Sequence, residues 1–116
     1  IQTVPADVTS PADRQAMVDA AQRHFGGLDV LINNAGIGAT GHFMDSDPAV
    51  LRHILEVNYF GLFEVPRAFI PILKKGTTPA IVNISSVVAR RALPARSLYS
   101  ASKFAVAGLS EAIRAE

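Results

Sequence analysis

Short apolar runs alternate with longer segments in which apolar residues recur at helical spacing. Two runs, Leu28–Ile32 and Ala80–Ile84, are too short for a helix and predict buried strands. Ile1–Val4 predicts a further short strand at the start of the chain. Strands that alternate with helices are typical of an α/β fold with a parallel sheet.

Three helices are predicted, starting near Ser10, Asp47 and Ser97. In the first two, a side chain that can cap the helix is followed by proline at the first helical position. The first helix should end at Gly26, because glycine readily adopts positive φ. The second has a long apolar stripe, and Pro66 should kink it because proline cannot donate a backbone hydrogen bond.

Composition limits the class of protein. The chain has 116 residues, of which 49% are hydrophobic and 18% charged, and its mean hydropathy is +0.26. Such values exclude an intrinsically disordered chain. No apolar run approaches the roughly 20 residues that span a bilayer, so no membrane partner is expected. The length allows one domain at most.

Charge and residue chemistry narrow the possible partners. The net charge is +1, and the basic residues are dispersed without interleaved aromatic side chains, so no nucleic-acid partner is predicted. The chain has no cysteine, which excludes disulfides and suits a cytoplasmic protein. His24, His42 and His53 share no metal-ligand spacing, so no metal site is expected.

Polar or small residues follow each predicted strand. They are Asp7-Val8, Asn33–Gly36 and Ser85-Ser86. In open α/β sheets, ligands bind outside the carboxyl ends of the strands. Ser86 could donate a hydrogen bond to a substrate there, or could be an ordinary turn serine. Asn33–Gly36 could admit a bulky ligand, or could be a polar turn. No histidine stands at a spacing that suggests a serine hydrolase.

Two features of the helices carry possible chemistry. Tyr99 and Lys103 lie four residues apart and share a helix face, where an ammonium favours a phenolate and the pair could act as a general acid and base. Alternatively, they form an ordinary pair with a solvated lysine. Asn58 interrupts an apolar stripe, and an unpaired buried amide costs about 1–3 kcal/mol. It therefore needs partners, in the backbone near Pro66, in ordered water or in a site.

The order of these motifs resembles the short-chain dehydrogenase/reductase family over essentially the whole chain. The resemblance rests on Asp7-Val8, Asn33-Asn34-Ala35-Gly36, Glu56-Val57-Asn58, Asn83-Ile84-Ser85-Ser86 and Tyr99-Ser100-Ala101-Ser102-Lys103. Ser86 and Tyr99 are 13 positions apart, the usual separation in the family. Each motif alone is weak, but the set in this order is specific.

The resemblance implies a catalytic set. Tyr99 would exchange a proton with the substrate oxygen, and Ser86, rather than Ser85, would hold that oxygen. Lys103 would favour the ionised form of Tyr99 and bind the nicotinamide ribose. Asn58 would support a water relay from Lys103.

The resemblance also implies a doubly wound, Rossmann-like parallel sheet that binds NAD or NADP. The strands present would be numbers 3, 4 and 5 of the order 3-2-1-4-5-6. Besides Tyr99 and Lys103, the residues at the cofactor would be Asp7, Val8, Asn34, Ala35 and Gly36. The family's glycine-rich first βαβ unit and its later substrate loop are not among residues 1–116. We therefore expect the central part of one such domain, with weak cofactor binding by these residues alone.

The implied activity is hydride transfer that interconverts a secondary alcohol and a ketone, both small molecules. A related epimerase or dehydratase with the same tyrosine and lysine, and a non-catalytic dinucleotide-binding scaffold, are the alternatives. The resemblance further implies a homodimer or homotetramer in which the last helix and the helix with Asn58 pair with their copies. A small-residue face suits this contact or packing within the subunit; it comprises Ala101, Ala105, Gly108, Leu109 and Ala112.

Overall fold

Two parallel strands form the sheet. In the computed structural model, which describes residues 1–116, β1 (Val30–Asn33) pairs with β2 (Ala80–Asn83). The register places Val30 opposite Ala80 and Asn33 opposite Asn83. Both strands fall where the apolar runs predict them, and their parallel pairing confirms the predicted α/β class.

The predicted strand at Ile1–Val4 does not form. These residues have no regular secondary structure, and Ile1 is fully exposed. A strand is held by hydrogen bonds to a neighbouring strand. The sheet contains only β1 and β2, which pair with each other, so Ile1–Val4 has no strand partner.

The three predicted helical segments form in the predicted order, but the second is divided into two helices, so the structure has four α-helices. They are α1 (Pro11–Phe25), α2 (Pro48–Leu55), α3 (Leu62–Leu73) and α4 (Ser97–Arg114). Single 3₁₀ turns lie at Phe43–Asp45 and Val87–Ala89. None of these helices combines the length and the apolar character needed to cross a bilayer.

The helix ends use the predicted caps. Ser10 Oγ accepts the Asp13 N–H at 3.2 Å, and Asp47 Oδ1 accepts the Ala49 N–H at 2.8 Å. Gly26 ends α1 with φ of 75°, a left-handed conformation in which its N–H reaches the Gln22 carbonyl. Local side-chain chemistry therefore fixes where α1 and α2 begin.

The helical segment between α2 and α3 departs from α geometry. Glu56–Gly61 forms a π-helical segment that contains Asn58, and α3 then continues through Pro66 and Pro71. The sequence predicted a kink at Pro66, whereas the departure from α geometry lies at Glu56–Gly61 and Pro66 stands inside α3. Short π-helical segments often occur at functional sites.

The apolar core lies between the sheet and the helices. It comprises Val18, Leu31, Val65, Phe69, Ile72 and Leu73. Burying one such side chain stabilises the fold by about 1.5–3 kcal/mol. Successive strand residues point to the two faces of the sheet in turn. Val30, Ile32 and Val82 lie on the face away from the core and are 45%, 60% and 42% exposed. The helices therefore cover only one face of the sheet.

Candidate functional site

The carboxyl ends of the two strands are tied to α4. Asn33 Nδ2 donates to Asn83 Oδ1 at 2.8 Å across the sheet. Asn83 Nδ2 in turn donates to Ser110 Oγ on α4 at 3.0 Å. This chain of amides and hydroxyl places the helix with Tyr99 and Lys103 against the strand ends.

Lys103 is buried beside Tyr99. Only 5% of Lys103 is exposed, and its Nζ donates to the Ile84 carbonyl at 3.0 Å, directly after β2. Nζ lies 5.9 Å from the centroid of the Tyr99 ring. An ammonium has three donors, so this one can bind acceptors beyond Ile84. The hydrogen bond from Lys103 goes to a neutral carbonyl, which does not neutralise the positive charge. This charge therefore favours an anion close to Nζ.

The loop after β1 contacts both members of this pair. A Cβ built on Gly36 would lie 3.2 Å from Asn58 Oδ1 and 3.6 Å from Lys103 Nζ. A Cβ on Gly38 would lie 3.6 Å from Cδ2 of the half-buried Tyr99 ring. The structure therefore brings the glycine loop, Asn58, Tyr99 and Lys103 together.

Asn58 is completely buried and has three hydrogen bonds. Its Oδ1 accepts the Ile37 N–H at 2.8 Å, and its Nδ2 donates to the Ile37 carbonyl at 2.8 Å and to Ser102 Oγ at 3.0 Å. The loop after β1 and α4 supply its partners, whereas the backbone near Pro66 supplies none of these three hydrogen bonds. Asn58 joins these two elements.

The two serines after β2 use their hydroxyls differently. Ser85 Oγ donates to the Lys103 carbonyl at 3.2 Å, whereas Ser86 Oγ accepts the Val88 N–H at 3.4 Å. The hydroxyl hydrogen of Ser85 is therefore engaged within the protein. The bond to Val88 leaves the hydrogen of Ser86 available for donation.

Asp7 and Val8 lie in the segment that directly precedes α1. Asp7 is exposed, and hydrogen bonds from the backbone N–H and the hydroxyl of Thr9, both 2.8 Å, hold the pKa of Asp7 below its ordinary value. Val8 lines a cavity of about 140 Å³ together with Asn34 and Ala35. The structure thus brings Val8, but not Asp7, into one cavity with the segment after β1. The cofactor role of these residues stays a prediction.

Ser102 did not emerge from the sequence pattern. It is completely buried, and its Oγ donates to the Tyr99 carbonyl at 2.8 Å while accepting from Asn58. The available signal was its position, because residues 99, 102, 103 and 106 share one helix face. A serine on a face that ends in the fully buried Val106 needs a partner. No group of three or more histidine, aspartate and glutamate side chains lies close enough together to hold a metal ion.

Curated relatives match nearly the whole chain. The family model described as short chain dehydrogenase matches residues 1–116. Dehydrogenase/reductase SDR family member 7B of Bos taurus is 37% identical over 98% of this chain and 35% of its own length. A 3-alpha-(or 20-beta)-hydroxysteroid dehydrogenase of Mycobacterium tuberculosis is 42% identical over 97% of this chain and 44% of its own length. The chain therefore spans less than half of these relatives.

Solved structures match the fold as well. The ligand-free aldohexose dehydrogenase of Thermoplasma acidophilum superposes with a TM-score of 0.88 at 37% identity, covering 95% of this chain and 43% of that one. A short-chain dehydrogenase/reductase of Burkholderia phymatum in complex with NAD gives 0.88 at 38% identity, covering 95% and 40%. These matches confirm the incomplete Rossmann-like α/β fold. The chain belongs to the short-chain dehydrogenase/reductase family.

Proposed function

We propose that this chain carries the proton-transfer site of an NAD(P)-dependent oxidoreductase that interconverts a secondary alcohol and a ketone. The observation that carries the proposal is the buried Lys103 ammonium beside Tyr99, at the strand ends where Ser86 also lies. A phenol, an ammonium and a hydroxyl can together hold a substrate oxygen and move its proton.

The exposure of the residues at the strand ends supports binding of part of a dinucleotide there. Asn34–Gly36 is exposed, and Val8, Asn34 and Ala35 line one cavity. Lys103 keeps donors beyond the one used by Ile84. We propose that Lys103 and Tyr99 hold the nicotinamide ribose, and that Asp7, Val8, Asn34, Ala35 and Gly36 border the adenosine side. When bound, NAD or NADP supplies or accepts the hydride.

Tyr99 is the proposed proton donor and acceptor. In the direction of reduction its hydroxyl gives a proton to the carbonyl oxygen of the substrate, and in the direction of oxidation its phenolate takes the alcohol proton. Lys103, held in place by the Ile84 carbonyl, keeps its positive charge beside the Tyr99 ring. The water relay proposed for Asn58 is compatible with its position, since its Oδ1 and Lys103 Nζ both flank Gly36.

Ser86 is the proposed donor to the substrate oxygen. Its Oγ accepts the Val88 N–H, which leaves the hydroxyl hydrogen for a ligand. Ser85 is poorly suited to this role, because its hydrogen is already donated to the Lys103 carbonyl. The assignment of Ser86 is thereby supported by hydrogen-bond direction as well as by its separation from Tyr99.

The test is Tyr99→Phe in the intact protein, with Tyr59→Phe as the matched control. Turnover of a panel of secondary alcohols is followed by the absorbance of reduced nicotinamide, and cofactor binding by calorimetry. Tyr99→Phe should remove most turnover and leave cofactor binding largely intact, whereas Tyr59→Phe should change neither. Near-normal turnover of Tyr99→Phe would refute the assignment.

The same assay separates the alternatives. Consumption of substrate without a net change in reduced nicotinamide would indicate an epimerase or dehydratase. Cofactor binding without turnover of any alcohol or ketone in the panel would favour a non-catalytic scaffold.

We also propose that α4 and the helix with Asn58 pair with a second copy. Phe60 and Phe104 are 48% and 46% exposed, and a Cβ on Gly108 would meet nothing within 4 Å. Phe104 and Gly108 lie four residues apart on α4, and an exposed aromatic side chain next to an open small residue suits close helix packing. Light scattering of the intact protein should report a dimer or tetramer, and a monomer alone would oppose this proposal.

A further inference from the structure

Ser102 connects two groups of the proposed site. It stands directly before Lys103 on α4 and is completely buried. Its Oγ donates to the Tyr99 carbonyl at 2.8 Å and accepts from Asn58 Nδ2 at 3.0 Å. One hydroxyl therefore joins the helix of Tyr99 to the π-helical segment.

The direction of these bonds restricts how Asn58 can point. A serine hydroxyl has one hydrogen, and here the Tyr99 carbonyl takes it. Towards Asn58 the hydroxyl can therefore only accept, so the NH₂ group of the amide must face it. This orientation turns Oδ1 towards the Ile37 N–H, which it accepts at 2.8 Å.

The orientation of Asn58 in turn holds the loop after β1. The amide binds both the N–H and the carbonyl of Ile37. The residues on either side of Ile37 are glycines that come close to the pair: a Cβ on Gly36 would lie 3.6 Å from Lys103 Nζ, and a Cβ on Gly38 would lie 3.6 Å from the Tyr99 ring. A rotation of the amide would release this loop from both side chains.

We propose that Ser102 is a positioning residue, which fixes the Asn58 amide and, through it, the Gly36–Gly38 loop over Tyr99 and Lys103. Its consequence for turnover rests on the proposed function. The link to the loop does not, because it concerns hydrogen bonds within the chain alone.

The first experiment measures hydrogen exchange of the segment around Ile37 in the intact protein. Ser102→Ala should raise exchange at the Ile37 amide about fivefold, the factor that corresponds to the loss of one ordinary hydrogen bond. Ser100→Ala is the matched control, since Ser100 is also buried on α4 but its Oγ has no hydrogen-bond partner. It should leave exchange at Ile37 unchanged. Unchanged exchange in Ser102→Ala would overturn the proposal.

Two further variants separate positioning from a general loss of packing. Ser102→Cys fills a similar volume with a weak donor and acceptor, so it should raise exchange at Ile37 even if Ser102→Ala does not fold. The double variant Asn58→Ala/Ser102→Ala should exchange at Ile37 like Asn58→Ala alone, because Ser102 acts through Asn58. Faster exchange in the double variant would show independent effects and contradict the proposal.

Turnover supplies the second readout. Ser102 is fully buried and so does not touch the substrate. Ser102→Ala should therefore lower kcat more than it raises KM, whereas Ser100→Ala should change neither. An intact protein that turns over no alcohol or ketone, but shows the exchange changes above, would refute the proposed function and leave the positioning role of Ser102 in place. Ser102→Ala with wild-type kcat would refute its role in turnover.

Discussion

Gly76 lies where the end of α3 approaches the residues before β1. A Cβ built on Gly76 would sit 2.6 Å from the Leu28 carbonyl oxygen, 2.8 Å from Asp29 Oδ1 and 3.1 Å from Asp29 Cα. Two of these three atoms belong to the backbone, so a rotamer change cannot remove the clash. Gly76→Ala must therefore displace the turn that follows α3.

The cost of this displacement follows from the bonds it breaks. The Gly76 N–H reaches the Leu73 carbonyl at 2.9 Å, and the Thr77 N–H reaches Asp29 Oδ1 at 2.8 Å. Each bond contributes about 0.5–1.5 kcal/mol, and overpacking adds about 1–3 kcal/mol. Loss of the freedom that glycine has in the unfolded chain offsets about 0.4–1 kcal/mol. We expect Gly76→Ala to lower the free energy of unfolding by about 3 kcal/mol.

Urea unfolding of the intact protein, followed by circular dichroism, measures this difference. The matched control is Gly41→Ala, also in a loop, because a Cβ there would meet nothing within 4 Å. Gly41→Ala should be neutral or stabilising by up to about 1 kcal/mol. If Gly76→Ala unfolds at the wild-type urea concentration, the close approach to Leu28 and Asp29 is wrong.

Four other changes have expected outcomes. Ala95→Gly should raise the urea midpoint, because Ala95 has φ of 56° and a left-handed alanine costs about 1–2 kcal/mol; a lower midpoint would contradict this conformation. Gly36→Ala should reduce turnover more than Gly38→Ala, since its Cβ would press on the hydrogen-bonded Asn58 amide at 3.2 Å; equal turnover of the two variants would count against that contact. Asp7→Asn should make the free energy of unfolding less dependent on pH in the acid range. The pKa of Asp7 is lowered from 3.8, so its contribution to stability is present above that pH and is lost as the pH falls. An unchanged dependence of the urea midpoint on pH would oppose this. Residues 1–116 alone should bind NAD weakly by calorimetry, because the glycine-rich unit implied by the resemblance is not among them, and micromolar affinity would contradict this prediction.

Local signals allowed the helix starts to be predicted. Ser10 and Asp47 each cap a helix through their own side chain, and the proline that follows each fixes the first turn. The stripe predicted along the second helical segment is largely buried, from Ile54 to Ile72, because apolar residues at helical spacing share the face that meets the core.

Features that depend on distant partners could not be predicted in the same way. Ile1–Val4 has the pattern of a strand but no strand beside it in the sheet. The π-helical segment and the hydrogen bonds of Asn58 involve Ile37 and Ser102, which are far from it in the sequence. The order of the motifs predicted that Asn58, Tyr99 and Lys103 belong to one site. The chemical roles of these side chains stay predictions, which the variants above test.

The uncovered face of the sheet has a practical consequence for handling this chain. Val30, Ile32 and Val82 are exposed there, and each of the two strands has a free edge with unpaired backbone donors and acceptors. An apolar strand edge of this kind is a template for edge-to-edge association, and a two-stranded sheet gives little resistance to rearrangement. Residues 1–116 prepared alone should therefore aggregate as their concentration rises. Ile32→Lys should delay this precipitation more than Ile113→Lys, a change at another exposed isoleucine.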